Sequence, residues 1–160
     1  MGFRHLLWLF PVALTLHNAE EALWLPYWSK RSALWRRPVS PGVFRFAAAV
    51  LTMLAYLLAG LTATAGKQSL WAYLLFGSMV VAFANIFLPH LALSLVLRSY
   101  MPGLATGLAV NLPVLFVLIG MAFREGYVSG EKAIAASLGT AVLLLVVVWL
   151  LFKIGKMLKL

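Results

Sequence analysis

Long apolar runs separated by short polar breaks set the architecture that this sequence predicts. The runs cover residues 3–25, 44–65, 69–97, 103–123 and 133–152. Each can carry a helix across a hydrocarbon layer of roughly 30 Å at about 1.5 Å per residue. The pattern predicts an all-α integral membrane protein with five transmembrane helices, forming one membrane domain over residues 1–160. The breaks are equally readable. A connector from Pro26 to Gly42 carries Lys30, Arg31, Arg36 and Arg37 and closes on Pro38 and Pro41. A turn at Gly66–Gln68, another at Tyr100, Pro102 and Gly103, and a polar segment from Arg124 to Lys132 complete the set. Pro11 and Pro89 predict kinks, and Trp24, Tyr27 and Trp28 mark a membrane interface.

Composition narrows the class. With 64% hydrophobic and 11% charged residues and a mean hydropathy of +0.98, an ordinary soluble domain is excluded. Cysteine is absent, which removes disulfides, thiolate ligands and cysteine nucleophiles. The net charge of +9 resembles a nucleic-acid signature only until the basic residues are placed between the apolar runs. There they read as a topology signal and as attraction to anionic membrane lipids, so no nucleic-acid partner is expected. Alternating sides puts Lys30, Arg31, Arg36, Arg37, Arg45, Arg98, Lys153, Lys156 and Lys159 on one face of the membrane, and Arg4, Lys67, Arg124 and Lys132 on the other. The positive-inside rule then places the N-terminus outside and the C-terminus in the cytoplasm of a multi-pass cell (inner) membrane protein. A signal peptide fits poorly, because His17, Glu20 and Glu21 would crowd the cleavage region and no A-x-A-like site follows. The halves show no repeat of the inverted-transporter kind.

The chemistry concentrates in His17-Asn18-Ala19-Glu20-Glu21, inside the first apolar run. Each ionisable group near a bilayer centre costs at least about 2.5 kcal/mol, which makes such groups functional candidates. Helical spacing at i+3 and i+4 puts both glutamates on the face of His17. A nitrogen donor and carboxylate oxygens thus converge as a hard or borderline metal ion requires. Packing alone is a poor reason for three ionisable groups there. Counting inward from the cytoplasmic ends brings His17, His90 and Asn111 to similar depth, roughly 12 to 15 Å below that interface.

Other residues extend the constellation. Pro89 cannot donate to the carbonyl of Asn85, so either that oxygen or the Asn85 amide can line a cavity beside His90, or the pair can serve only interhelical packing. Gly103, Gly107 and Asn111 form a small-residue stripe ending in an amide. Arg98 and Tyr100, at the cytoplasmic mouth, are candidates for a lipid headgroup or for interface anchoring. His5 stands apart at the outer end, and Glu125 and Glu131 belong to the outer connector.

The pattern His17-x-x-Glu20-Glu21, followed by Asn85, His90 and Tyr100-x-Pro102-Gly103, resembles the HXXEE family of small multi-spanning membrane proteins over essentially the whole chain. The resemblance implies that this motif is the reactive one, and it implies no substrate. The residues themselves support a metal-dependent hydrolase acting on a lipidic or membrane-partitioned substrate. In that reading His17, Glu20 and His90 hold a divalent metal, zinc or alternatively iron, and Glu21 is the general base on a metal-activated water. Asn85 or Asn111 polarises the substrate oxygen. The spacing does not decide which glutamate is ligand and which is base. Paired glutamates with a distant histidine and asparagine are also similar to membrane-embedded proteases of the CAAX-processing kind, although the order here differs. A non-haem iron oxygenase would use the same ligands. A proton- or ion-linked transporter and a structural partner subunit are the other classes, and the bare second and fifth helices leave surface for a partner or a homo-oligomer.

Overall fold

The computed structural model describes residues 2–31 and 38–160; Arg36 and Arg37, placed above in the most basic connector, lie outside them. Among the described residues the chain is all helical, with no strand. It begins with a single turn, α1 (Phe3–Leu6), and breaks at Leu7 and Trp8 before α2 (Leu9–Arg31). The helix expected to stop near residue 25 therefore starts later and runs further. Pro26 lies inside it and is buried, with the Ser29 hydroxyl donating to its carbonyl at 2.9 Å. The connector accordingly begins beyond Arg31 rather than at Pro26.

Next comes α3 (Pro41–Ala65), started by a proline in its first turn, where no N–H is required, and stopped at Gly66 with φ 78. Ser69 then caps α4 (Leu70–Asn85) by accepting from the Ala72 N–H at 3.1 Å. The helix continues through a π-helical turn (Ile86–Leu91) into α5 (Ala92–Val96). Pro89 sits in that π turn, so the missing donor is absorbed by a local change of register rather than by a sharp break. A left-handed Gly103 opens α6 (Leu104–Thr106), which passes through a second π turn (Gly107–Asn111) into α7 (Leu112–Arg124). The last helix, α8 (Gly130–Met157), packs on α3 and α4.

Among the described residues, four helical segments are long and apolar enough to cross a membrane: Pro41–Ala65, Leu70–Val96, Leu104–Arg124 and Gly130–Met157. The α2 helix has the length, at 23 residues, but does not join them. His17, Asn18, Glu20 and Glu21 lower its apolar content, and those are the residues that carry the chemistry.

The connectors gather at two ends. At one end the Phe3 N–H donates to Glu125 at 2.8 Å, and the Gln68 N–H donates to the Tyr127 carbonyl at 3.0 Å. At the other, the Ser40 hydroxyl donates to the Leu160 carbonyl at 3.1 Å. The main apolar core fills the first end and the middle with Phe3, Leu7, Phe10, Leu75, Met79, Ile86, Leu115 and Leu118.

The α4–α8 contact is tight at Gly77, where an added Cβ would stand 2.7 Å from the Thr140 Cβ and 3.0 Å from the Ala136 carbonyl oxygen. At Gly139, on α8, an added Cβ meets nothing within 4 Å. Alanine in a helix is favoured over glycine by about 1 kcal/mol, whereas overpacking costs about 1–3 kcal/mol. Gly77→Ala is therefore expected to lower the thermal unfolding midpoint in detergent, and Gly139→Ala to leave it unchanged or raise it. Equal midpoints for the two variants would show that the Gly77 contact does not constrain the bundle.

Candidate metal centre

Three residues from two elements converge on one point. From α2 come His17 and Glu21, one turn apart; from the first π turn comes His90. His17 is 3% exposed and His90 1%, with their rings edge to face and centroids 4.9 Å apart. The Glu21 carboxylate lies against both: Oε1 is 3.3 Å from His90 Nε2, and Oε2 is 3.9 Å from His17 Nε2. One ligand atom from each of the three residues falls within 4.8 Å of the others, close enough to hold a single metal ion. Both π turns flank this point, and a local i→i+5 register is a common way for a helix to redirect a side chain toward a site.

Hydrogen bonding determines which histidine nitrogens are free. The Thr106 hydroxyl has one proton and donates it to Glu20 Oε2 at 2.6 Å. Its contact with His17 Nδ1 at 3.2 Å is therefore one in which the imidazole N–H donates to the hydroxyl oxygen. That fixes the proton on Nδ1 and leaves the Nε2 lone pair directed toward Glu21, where it has no hydrogen-bond partner. At His90, the Asn85 amide nitrogen lies 3.0 Å from Nε2 and donates to it, so that nitrogen is unprotonated and its one lone pair is held by the amide. Two unprotonated ring nitrogens and a carboxylate thus meet with no protein donor between Glu21 and His17; the His17 lone pair is free, and the His90 one becomes free when the Asn85 amide turns away. A cation or a shared proton resolves that arrangement, and the donor set of two imidazoles and a carboxylate suits a divalent ion with open positions.

Glu20 is occupied elsewhere. Its Oε1 accepts from the Gly103 N–H at 2.8 Å and from the Tyr100 hydroxyl, and its Oε2 accepts from the Thr106 N–H at 2.9 Å and from the Thr106 hydroxyl. Burial, and then this hydrogen bond, push the Tyr100 phenol above its ordinary pKa, which keeps it a donor. The ligand set expected from the sequence, His17, Glu20 and His90, is corrected accordingly: Glu21 stands with the two histidines. Four donors spend both oxygens of Glu20 on the turn that opens α6, and neighbours on a helix diverge by about 100°.

The remaining expected residues distribute as follows. Asn85 reaches His90 through its side chain. Asn111 is 2% exposed, at the end of the second π turn, and its Oδ1 has no partner. Tyr100 binds Glu20, whereas Arg98, with φ 47, ends the α5 segment and is not drawn into the cluster. His5 is exposed at the opposite end. Two contributions were not singled out from the sequence. Thr106 links Glu20 to His17, and Asn18 donates to the Thr52 hydroxyl at 2.8 Å, tying α2 to α3. The position of Thr106, three residues after Gly103 on the small-residue stripe, was the available signal.

Gly103 closes the site from the other side. Its φ is 95, and an added Cβ would fall 2.5 Å from His90 Cε1 and 3.0 Å from His17 Cε1. Gly103→Ala is expected to cost about 1–2 kcal/mol from the left-handed backbone alone, and also to displace the His90 ring. Glu20→Ala, which orphans four donors, is expected to cost at least about 3 kcal/mol. Tyr100→Phe, which removes one of those bonds, should cost only about 1 kcal/mol. Thermal unfolding in detergent measures the order; a neutral Glu20→Ala variant would show that the carboxylate does not anchor this turn.

A family model described as a protein of unknown function with HXXEE motif matches residues 8–118. The uncharacterised protein YrkK of Bacillus subtilis (strain 168) is 41% identical over 149 residues, covering 91% of this chain and 92% of its own length. No solved structure matches the chain. The H-x-x-E-E residues of the motif, His17, Glu20 and Glu21, supply two of the three groups in the cluster and the carboxylate that braces it, and the chain belongs to the HXXEE family.

Proposed function

We propose that this protein is a membrane-embedded, metal-dependent hydrolase acting on a lipidic or membrane-partitioned substrate, with His17, Glu21 and His90 holding a divalent ion, zinc by the donor set. The observation that carries this reading is the meeting of two unprotonated ring nitrogens and a carboxylate within 4.8 Å. Such an ion, when bound, polarises a water or a substrate oxygen. The chain's own residues do the rest. Thr106 orients the His17 imidazole through the nitrogen that faces away from Glu21, as partners of metal-bound histidines commonly do, whereas Asn85 holds the His90 nitrogen that faces Glu21 and yields it to the ion. Glu21 is the carboxylate facing the junction, so it also takes the proton released from an attacking water. Asn111, buried with an unpartnered amide oxygen, is the group available to orient a substrate or that water.

Access supports a one-sided site. From the cluster to the end bearing Phe3 and Tyr127 the interior is filled by Leu7, Phe10, Leu75, Met79, Leu115 and Leu118, all buried. A relay crossing the bilayer needs polar groups staggered along that path, so the transporter reading is the weaker one.

We further propose that α2 is the first of five spans, with the N-terminus outside and the C-terminus in the cytoplasm of the cell membrane. The cationic residues of the Arg31, Arg98 and Lys153–Lys159 end support this orientation. Because the chain has no cysteine, single cysteines placed at Lys132 and Lys159 report it directly. The Lys159→Cys variant should resist a membrane-impermeant thiol reagent in intact cells, and the Lys132→Cys variant should react; the opposite result inverts the topology.

The central test is metal content by mass spectrometry of detergent-purified protein. Near-stoichiometric metal is expected in the wild type and in Glu20→Gln, with loss of most of it in His17→Ala, Glu21→Ala and His90→Ala at retained folding. A wild type that neither carries nor takes up metal would end the metalloenzyme reading. The cluster would then be a metal-free acid–base or proton-binding site.

A further inference from the structure

Beside the cluster, the second half of α2 and the turn that follows α5 enclose an open groove of about 1130 Å³. One wall is a single helical face, Glu20, Trp24, Tyr27, Trp28 and Arg31; the other includes Tyr100 and Pro102. Two features set its chemistry. Apolar and aromatic surface runs along it, with Trp24 and Tyr27 largely exposed, although exposed aromatic side chains normally seek cover or an interface. Positive charge stands at its mouth, where Arg31 lines the groove and the Lys30 ammonium lies 5.9 Å from the centre of the Tyr27 ring.

Among the described residues, that positive charge meets no free side-chain carboxylate. The chain has four acidic residues. Glu125 holds the Phe3 N–H at the opposite end, and Glu131 is in the first turn of α8 at that same end. Glu21 belongs to the histidine cluster, and the Glu20 oxygens in the groove floor already accept four hydrogen bonds. From Glu20 to Arg31 the helix rises about 16 Å, so the groove runs from a cationic mouth to an apolar interior. At its floor, Pro102 is followed by Gly103, whose α-carbon lies against both imidazoles.

We infer that this groove binds an anionic phospholipid, phosphate at Arg31 and acyl chain along Trp24 and Trp28. With about 15 Å of helix between Arg31 and Glu21, the ester bonds of a lipid so placed stay at the mouth, so the groove is a lipid site distinct from the histidine cluster. A soluble phosphate compound would leave the aromatic wall uncovered, and a zwitterionic lipid would bring a third cation to a mouth that already holds two.

Native mass spectrometry of the full-length protein, titrated in detergent with phosphatidylglycerol or phosphatidylcholine, tests it. One saturable phosphatidylglycerol adduct is expected, bound more tightly than phosphatidylcholine and not displaced by millimolar inorganic phosphate. Reversing the charge with Arg31→Glu should weaken it about tenfold or more, and Trp24→Ala should weaken it as well. Lys132→Ala, at the other end of the bundle, should leave it unchanged, which separates the groove from general attraction to a cationic protein. Arg31 and Trp24 are exposed, so neither variant removes core packing. Unchanged binding in both groove variants, or equal affinity for the zwitterionic lipid, would overturn the proposal. Displacement by inorganic phosphate alone would overturn the lipid as its source. His17→Ala should keep the lipid adduct while losing metal, so the metal content of the same samples judges the cluster separately from the groove.

Discussion

The Glu20 carboxylate is the constraint on which the rest of the site depends. A carboxylate removed from bulk water must have its lone pairs filled, and here the Tyr100 hydroxyl, two backbone N–H groups and the Thr106 hydroxyl fill them. Those donors come from one short stretch, residues 100–106, 80 to 86 positions away in the chain. The bonds therefore clamp the start of α6 onto α2. They also make Thr106 an acceptor toward His17, so the protonation of one imidazole follows from the hydrogen bonding of a neighbouring glutamate. The motif's two adjacent glutamates divide the work: one braces the turn, and the other faces the histidines.

The backbone devices around the cluster serve the same placement. A regular α register through residues 85–91 would not accommodate Pro89 without leaving a gap in the hydrogen-bond ladder. The π turn accepts the proline and aims His90 inward, while Asn85 at its start reaches the same ring. On the facing segment, glycine at 103 is required twice: by its left-handed φ and by the space that the two imidazoles occupy. At Gly107, in the second π turn, an added Cβ would stand 3.5 Å from Ile86 Cγ2, an ordinary contact, so within the stripe the site requires glycine at 103 and not at 107. A glycine stripe that reads as helix packing is thus partly a seat for side chains of the site.

Much of this was legible from residue order. Four of the five apolar runs correspond to helices able to cross a membrane, and the depth count that grouped His17 with His90 matches two rings 4.9 Å apart. What failed to read through has identifiable causes. Past Pro26, α2 continues with the Ala22 carbonyl, which that proline leaves without its helical donor, accepting from Arg45 Nε at 3.2 Å, a tertiary bond that composition does not signal. The choice between Glu20 and Glu21 turned on Thr106 and the Gly103 N–H, partners remote in sequence. Periodicity places both glutamates on the His17 side of a helix, and only tertiary donors distinguish them. The expected proline kink became a π turn for a comparable reason: the sequence announces a missing donor, but neighbouring elements decide how the helix absorbs it.

The same reasoning explains why the helix that defines the family is the one that falls short of the apolarity of a span. With ionisable groups at 17, 20 and 21, each costing at least about 2.5 kcal/mol at bilayer depth, α2 is poorly suited to lipid on its own. Its compensation comes from later parts of the chain: Thr52 of α3 receives Asn18, residues 100–106 satisfy Glu20, and His90 meets Glu21. On the proposed five-span arrangement, the polar groups of α2 are satisfied only where residues 100–106 and His90 are packed against it. A substitution that unpairs Glu20 then acts on the membrane residence of α2 as much as on the chemistry beside it. That coupling accounts for a motif that keeps both glutamates when only one of them faces the histidines.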